Sequence, residues 1–207
     1  MKWARVFLAC LALAACKQEA VGSSERCGAV DAGTPVDPTL LAFLSRARAA
    51  HHIADEREAA GDLAAAVAPL ASLTAGPLPH DGQSLAPEVR EVLADTRARL
   101  ADLRSRQGAF ELAIADAHAG LELASEPNYF RGHLLETEGL VEERQAKALE
   151  PKDPSAAAGA RARAIGLLEQ AMAVQAGVIA SAAPGGSSAP NPGASAAPSP
   201  AKAPATP

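Results

Sequence analysis

GAFELAIADAHAGLEL, residues 108–123, is the stretch on which the fold of this chain turns. Gly108 punctuates the chain, and Phe110, Ala113, Ile114, Ala117 and Gly120 then recur at steps of three and four, the period of a helix with one buried stripe. Small residues on that stripe mean that a neighbouring helix comes close. Looser copies start at Gly61 (GDLAAAVAPLASLT) and Gly159 (GARARAIGLLEQAM). In all three an alanine comes five residues after the glycine (Ala66, Ala113, Ala164), and a β-branched residue follows at once (Val67, Ile114, Ile165). Leu70, Ala117 and Leu168 come next, then Leu73, Gly120 and Ala171. The recurrence predicts helical hairpins with Gly61, Gly108 and Gly159 at their turns and Ala66, Ala113 and Ala164 packed inside.

Outward from this core, the punctuation predicts six helices. Asp37-Pro38 supplies an N-cap and a proline at the first helical position, opening a helix to about Ala60 that buries Leu40, Leu41, Leu44 and Ile53. A second runs from Asp62 to about Thr74, bent at Pro69. AGPLPHDGQSLA, residues 75–86, is a loop by its glycines and prolines. Pro87 opens a third helix to about Gln107 with Val89, Val92, Leu93, Leu100 and Leu103 as its apolar set, and Gly108 turns the chain into the fourth. Pro127 begins a fifth, carrying Phe130, Leu134, Leu135 and Val141. EPKDPS, residues 150–155, breaks it, and Asp153-Pro154 starts a sixth that ends near Ala180. The expected fold is all-α: a short solenoid of three antiparallel hairpins over residues 37–180.

The flanks differ in kind. Lys2 and Arg5 precede an unbroken apolar run at residues 6–15, far short of the roughly 20 residues a bilayer-spanning helix needs but suited to a signal peptide. It closes on Leu13-Ala14-Ala15-Cys16, which resembles the bacterial lipobox. That resemblance implies cleavage between Ala15 and Cys16, covalent diacylglycerol and acyl chains on Cys16 as the one attached group, and no other cofactor. Lys17 in place of aspartate points to the outer membrane, facing the periplasm. Ala12-Leu13-Ala14 also offers an ordinary signal-peptidase site, so plain secretion is the competing reading. Residues 16–36 form a lipidated flexible tether with a reach of roughly 25 Å. Residues 181–207 contain only Ala, Pro, Ser, Gly, Asn, Thr and one Lys, too little large apolar side chain to offset ordering entropy, and are expected to be disordered.

Removal of Lys2 and Arg5 with the signal would leave 17 basic against 24 acidic side chains, a formal charge of −7. With no basic stripe interleaved with aromatics, nucleic acid is excluded as a partner. Of three cysteines, Cys10 leaves with the signal, Cys16 carries lipid, and Cys27 has no intramolecular mate.

The repeats resemble those of the tetratricopeptide repeat family, paired antiparallel helices stacked into a superhelix. Leu100-Ala101, Gly108, Phe110, Ala113-Ile114 and Gly120-Leu121 match its pattern well, and Ile53-Ala54, Gly61, Leu63 and Ala66-Val67 match in the first unit. In the third, Gly159, Ala164-Ile165 and Ala171-Met172 match, but Pro151-Lys152 fall where the first-helix pair belongs and Arg161 replaces an apolar residue, so an insertion shifts the register. The family's first-helix aromatics are replaced by Ala50 and Arg97 at one site and by Arg57 and Arg104 at the other. The turn glycines stand 47 and 51 residues apart, against about 34 in the family. A generic alanine-rich bundle is the competing architecture.

The resemblance implies a partner groove lined by the first helix of each pair. Carried over by register, it is lined by Arg48, His51, Asp55 and Glu58 from the first unit and Asp95, Asp102 and Arg106 from the second, an acid-leaning surface suited to polar or basic segments. Chemistry is scarce elsewhere. The adjacent His51-His52 pair projects about 100° apart, unsuited to one metal. Asp55-Glu56-Arg57-Glu58 and Glu142-Glu143-Arg144 read as solvated faces with local ion pairs. No nucleophile elbow, phosphate loop or Cys/His cluster occurs, so neither an enzyme, a metal site nor a small-molecule substrate is expected. Tyr129 reads either as an exposed partner anchor or as a packed helix start. The expected function is that of a lipid-anchored envelope adaptor holding another envelope protein or a peptide segment. The alternative is a structural lipoprotein whose tail meets the cell wall.

Overall fold

Helix termini follow from capping chemistry that the sequence carries locally. Asp37, Asp62, Asn128 and Asp153 each accept a backbone N–H from the first turn of the helix they precede, at 2.8–2.9 Å, which satisfies donors no intrahelical carbonyl can reach. A computed structural model describes residues 37–79 and 84–183. Among these it contains six helices: α1 (Pro38–Ala59), α2 (Leu63–Ala75), α3 (Pro87–Arg106), α4 (Phe110–Leu123), α5 (Tyr129–Leu149) and α6 (Pro154–Ala182). The fifth starts two residues later than the proline suggests, because extended Asn128, and not Pro127, is its cap. The signal, Ala15, the lipidation site at Cys16, the tether and the tail from residue 184 lie outside the described residues.

Two turns are built alike. At the end of α1, Gly61 has φ +80°, its N–H bonds the Glu58 carbonyl at 2.8 Å, and the Asp62 N–H bonds Arg57 at 2.9 Å. At the end of α3, Gly108 has φ +78°, and the Gly108 and Ala109 N–H groups bond Ser105 and Arg104 at 3.0 and 2.9 Å. Both are Schellman caps, whose left-handed residue favours glycine.

Gly159 is not a turn glycine. It lies inside α6 on an exposed surface, and the α5–α6 turn is Glu150 to Asp153, closed by the Asp153 cap and Pro154. The five-residue interval to Ala164 recurs there without its turn. Substitution with alanine therefore separates the glycines by sign. Gly108→Ala should lose about 1–2 kcal/mol by forcing a side chain into the left-handed region, whereas Gly159→Ala should gain about 0.5–1 kcal/mol of helix propensity; urea denaturation of each variant measures both.

Helices pack as successive neighbours: α1 with α2, α3 with α4, α5 with α6, joined by α2 against α3 and α4 against α5. In addition α1 touches α3 and α3 touches α5, while α2 and α4, like α4 and α6, make no contact. The stack is therefore narrower on the α1/α3/α5 side. Its stripe alanines are inside, with Ala66, Ala113 and Ala164 all buried and followed inward by Leu70 and Leu73, Ala117 and Gly120, and Ala171. The β-branched companions are not equivalent, for Val67 and Ile114 are half-buried and Ile165 is exposed.

Within α1 the buried set is Phe43, Ala47, Ala50 and Ala54, while Leu40 and Leu44 are half-buried and Leu41 and Ile53 exposed. Alanines permit the closest approach of α2 and α3, so they take the centre of the interface and the larger aliphatics are displaced to its margins or to solvent. The same principle resolves the third unit. Twelve residues separate Ala54 from Ala66 and Ala101 from Ala113, but twenty-five separate Gly139 from Ala164. A Cβ on Gly139 would stand 2.9 Å from Leu168 Cγ and 3.3 Å from the Ala164 carbonyl. Gly139 is thus the small first-helix residue of this hairpin, and Pro151-Lys152 are not: both arms extend beyond the usual turn.

Arg97 and Arg104 of α3 converge on one carboxylate. Asp116 of α4 is 2% exposed and accepts from Arg97 at 2.6 Å and from Arg104. An ion node thus joins α3 and α4.

A candidate partner-binding face on α1, α3 and α5

The three small residues that seat the first helices, Ala54, Ala101 and Gly139, also index the surface facing away from the second helices. Six positions before them stand Arg48, Asp95 and His133, and one position after them Asp55, Asp102 and Leu140. Two adjoining clefts open there. One, of about 310 Å³, is lined by His51, Asp55, Asp95, Arg99, Asp102, His133 and Leu140 among others. The second has an apolar floor of Leu44, Ala47, Val92 and Phe130, with Arg48, His51, Glu91 and Asp95 at its sides. His51 and Asp95 belong to both.

Of the seven residues assigned by register, Arg48, His51, Asp55, Asp95 and Asp102 line these clefts, whereas Glu58 and Arg106 line neither and bond each other nearer the turn. The face is less acidic than the register implies. Arg99 pairs with Asp55 at 2.9 Å and with Glu58, and Arg144 pairs with Asp102 at 2.9 Å and bonds Ser105 Oγ at 2.7 Å. The Arg106 hydrogen bond, aided by the charge of Arg99, outweighs partial burial and holds the Glu58 carboxyl below its ordinary range, and Glu58 in turn raises Arg106. Asp95 and Arg48 have no ion-pair partner among the described residues. Glu91 beside them is likewise unpaired among the described residues, so the charge left for a ligand is two acids on α3, Glu91 and Asp95, and one base on α1, Arg48, around the same cleft.

Of the charge runs read as carrying local ion pairs, only Glu143 keeps one, with Lys147 four residues on, while the other pairs cross between helices. Asp55 and Glu58 reach across to α3. In Glu142-Glu143-Arg144 each residue takes a different partner: buried Glu142 receives Arg163 of α6 through two bonds at 2.7 and 2.8 Å, Glu143 pairs with Lys147, and Arg144 crosses to α3. Helix pairing decides this, because residues one apart in sequence point at different neighbours.

His51 Nε2 lies 2.9 Å from Thr96 Oγ1, whose hydroxyl donates to the Val92 carbonyl at 2.7 Å. With its single proton committed, the hydroxyl can only accept, so Nε2 is the donor in this contact. His52 is exposed and outside both clefts. Tyr129 is 60% exposed at the start of α5, stacked on His133 at 5.9 Å and edge-on to Phe130 at 5.3 Å. It is an exposed ring beside the clefts, not a packed helix start.

Arg99, His133, Leu140 and Arg144 were missed by register transfer. Counting back from Gly159 places the third first-helix pair at Pro151-Lys152 and leaves α5 without an index, whereas counting from Gly139 delivers His133 and Leu140 directly. Among the described residues no group of three or more His, Cys, Asp or Glu side chains is arranged to hold a metal. No protein-family model matches the chain, and no curated protein or solved structure matches it either.

Proposed function

We propose that this chain is a lipid-anchored envelope protein of tetratricopeptide-like build that holds a segment of another envelope protein on the α1/α3/α5 face. The observation that carries the proposal is the pair of adjoining clefts sharing His51 and Asp95, where an apolar floor lies beside two uncompensated acids, Glu91 and Asp95, and one base, Arg48. A partner segment with one apolar anchor and a basic residue meets both features, since burial supplies affinity and the free carboxylate of Asp95 supplies orientation and steering. Tyr129, exposed at the rim, adds an aromatic contact of the kind that dominates interface energetics. Leu13-Ala14-Ala15-Cys16 supports the anchor, since two or more acyl chains make desorption negligible. No chemistry is assigned to the face, whose ionisable groups are largely committed to holding helices together.

A photocrosslinking residue at position 95 in intact cells should yield a discrete adduct with one partner, and the same residue at Leu112, exposed on α4, should not. Asp95→Lys should weaken capture roughly tenfold, equivalent to about 1.4 kcal/mol, because it places a cation where a basic segment would lie. Equal adducts from both positions, or capture indifferent to Asp95→Lys, would refute the groove.

A further inference from the structure

The last helix of a stack faces solvent on its outer side, and a soluble stack needs that side polar. Helix α6 departs from this. It touches α5 alone, against which it buries Ala157, Ala160, Ala164 and Ala171. On another face Ile165, Met172 and Ile179 are 58%, 69% and 72% exposed at an interval of seven. Exposed Ala162, Ala173, Ala176 and Ala180 run beside them, and a Cβ at Gly166 or Gly177 would meet only open space. In residues 164–182 Glu169 is the one charged side chain.

We infer that this face of α6 is a homodimer interface, occupied by α6 of a second copy in antiparallel orientation with Met172 on the two-fold axis. The stripe is symmetric about Met172, so a two-fold contact there sets Ile165 against Ile179 of the second copy and the two Met172 side chains against each other, as an isologous interface requires. Charge selects the orientation. Antiparallel pairing keeps the two Glu169 carboxylates about 9 Å apart along the axis at 1.5 Å per residue, whereas parallel pairing in register sets them directly opposite. The flanking alanines and Gly166 let the helices come close. With the axis at Met172 only residues 162–182 of the two helices overlap, about 32 Å of helix about 10 Å wide, so the contact covers on the order of 300 Å² per copy, below the size of stable specific interfaces, and the dimer is a weak, reversible one.

Two other occupants fit less well. The tail beyond residue 183 has no large apolar side chain to interleave with Ile165 and Met172. Helix α6 is long and apolar enough to cross a membrane, but spanning would detach it from α5 and strip Arg163 from buried Glu142. Lying on a membrane surface would call for basic residues free along the polar margin, and the two that α6 carries, Arg161 and Arg163, are engaged by Glu150 and Glu142. This inference concerns a face separate from the clefts and stands independently of the proposed groove.

Disulfide trapping in the full chain carrying Cys27→Ser tests it, with that parent as the background. Met172→Cys should give a covalent dimer on mild oxidation, and so should Ile165→Cys mixed with Ile179→Cys. Ile165→Cys alone should not, because its two copies lie about 21 Å apart in the antiparallel register. Dimers from Ile165→Cys alone, or none from Met172→Cys, overturn the proposal. In sedimentation equilibrium Met172→Glu should weaken self-association about tenfold or more with helicity unchanged, and a parent chain that stays monomeric at hundreds of micromolar overturns it too. If Met172→Glu leaves the mass unchanged but, in a chain freed of its lipid site by Cys16→Ser, abolishes binding to phosphatidylglycerol vesicles, the face meets a membrane. If shielding of Met172 is lost on deleting residues 184–207, it meets the tail. Either result also refutes the second copy.

Discussion

Replacing Arg97 and Arg104 together by methionine should destabilise the fold by about 3–5 kcal/mol, the cost of leaving a buried carboxylate without its cations. Asp116 is 2% exposed, whereas the two arginines are 28% and 21% exposed at their side chains, so the penalty falls on the acid. Either single replacement leaves one guanidinium in place and should cost less than half as much. Adding Asp116→Leu to the double variant removes the charge and should recover most of the loss, since an apolar replacement of a buried ion group is often neutral or stabilising. Urea denaturation across the series decides the matter, and an unrescued triple variant would show that the α3–α4 contact depends on packing and not on the ion node.

Gly120→Leu is the second large effect, with an expected loss of about 3 kcal/mol from overpacking. Even a Cβ at Gly120 would run into Leu134 of α5, closer than real contacts come, and would lie 3.1 Å from Arg97 Cβ of α3. Leu134 is fully buried, so a shift of its side chain presses on Ala94, Ala98 and Ala124, with which it clusters. Three helices meet at that point, and the close approach that glycine allows also brings Arg97 to Asp116, one turn earlier on α4. Combining Gly120→Leu with Leu134→Ala should cost much less than the sum of the two single losses, because the new side chain fills the cavity that the alanine leaves. Thermal melts of the four chains measure the coupling. Additive losses would place the strain elsewhere than at Leu134.

How far the candidate face can be read without coordinates differs between its halves. Ala54 and Ala101 lie at equal distances from true turn glycines, so counting back from Gly61 and Gly108 delivers Arg48, His51, Asp55, Asp95 and Asp102, which line the clefts. The α5 contribution was hidden because Gly159 copies the spacing of a turn while sitting in mid-helix. The spacing alone does not distinguish it, for a glycine has the same name whether its φ is +78° or helical; the local signal that does is Asp153-Pro154, six and five residues earlier, which starts the helix in which Gly159 lies. Leu41 and Ile53 misled for another reason. Hydrophobicity ranks them above Ala47 and Ala54, yet an interface between close helices admits the smaller side chain.

By itself, the amino-acid order determined where helices begin and end and that the architecture is all-α. Caps, prolines and periodicity act over a few residues, and their hydrogen bonds close within one turn of the chain. Only the tertiary structure decided which arginine neutralises which acid, that Asp95 and Arg48 remain without ion-pair partners, and that Ile165, Met172 and Ile179 face outward. Those outcomes depend on which helix lies alongside and at what distance, and pairs such as Asp55 with Arg99 or Glu142 with Arg163 lie 44 and 21 residues apart in the chain.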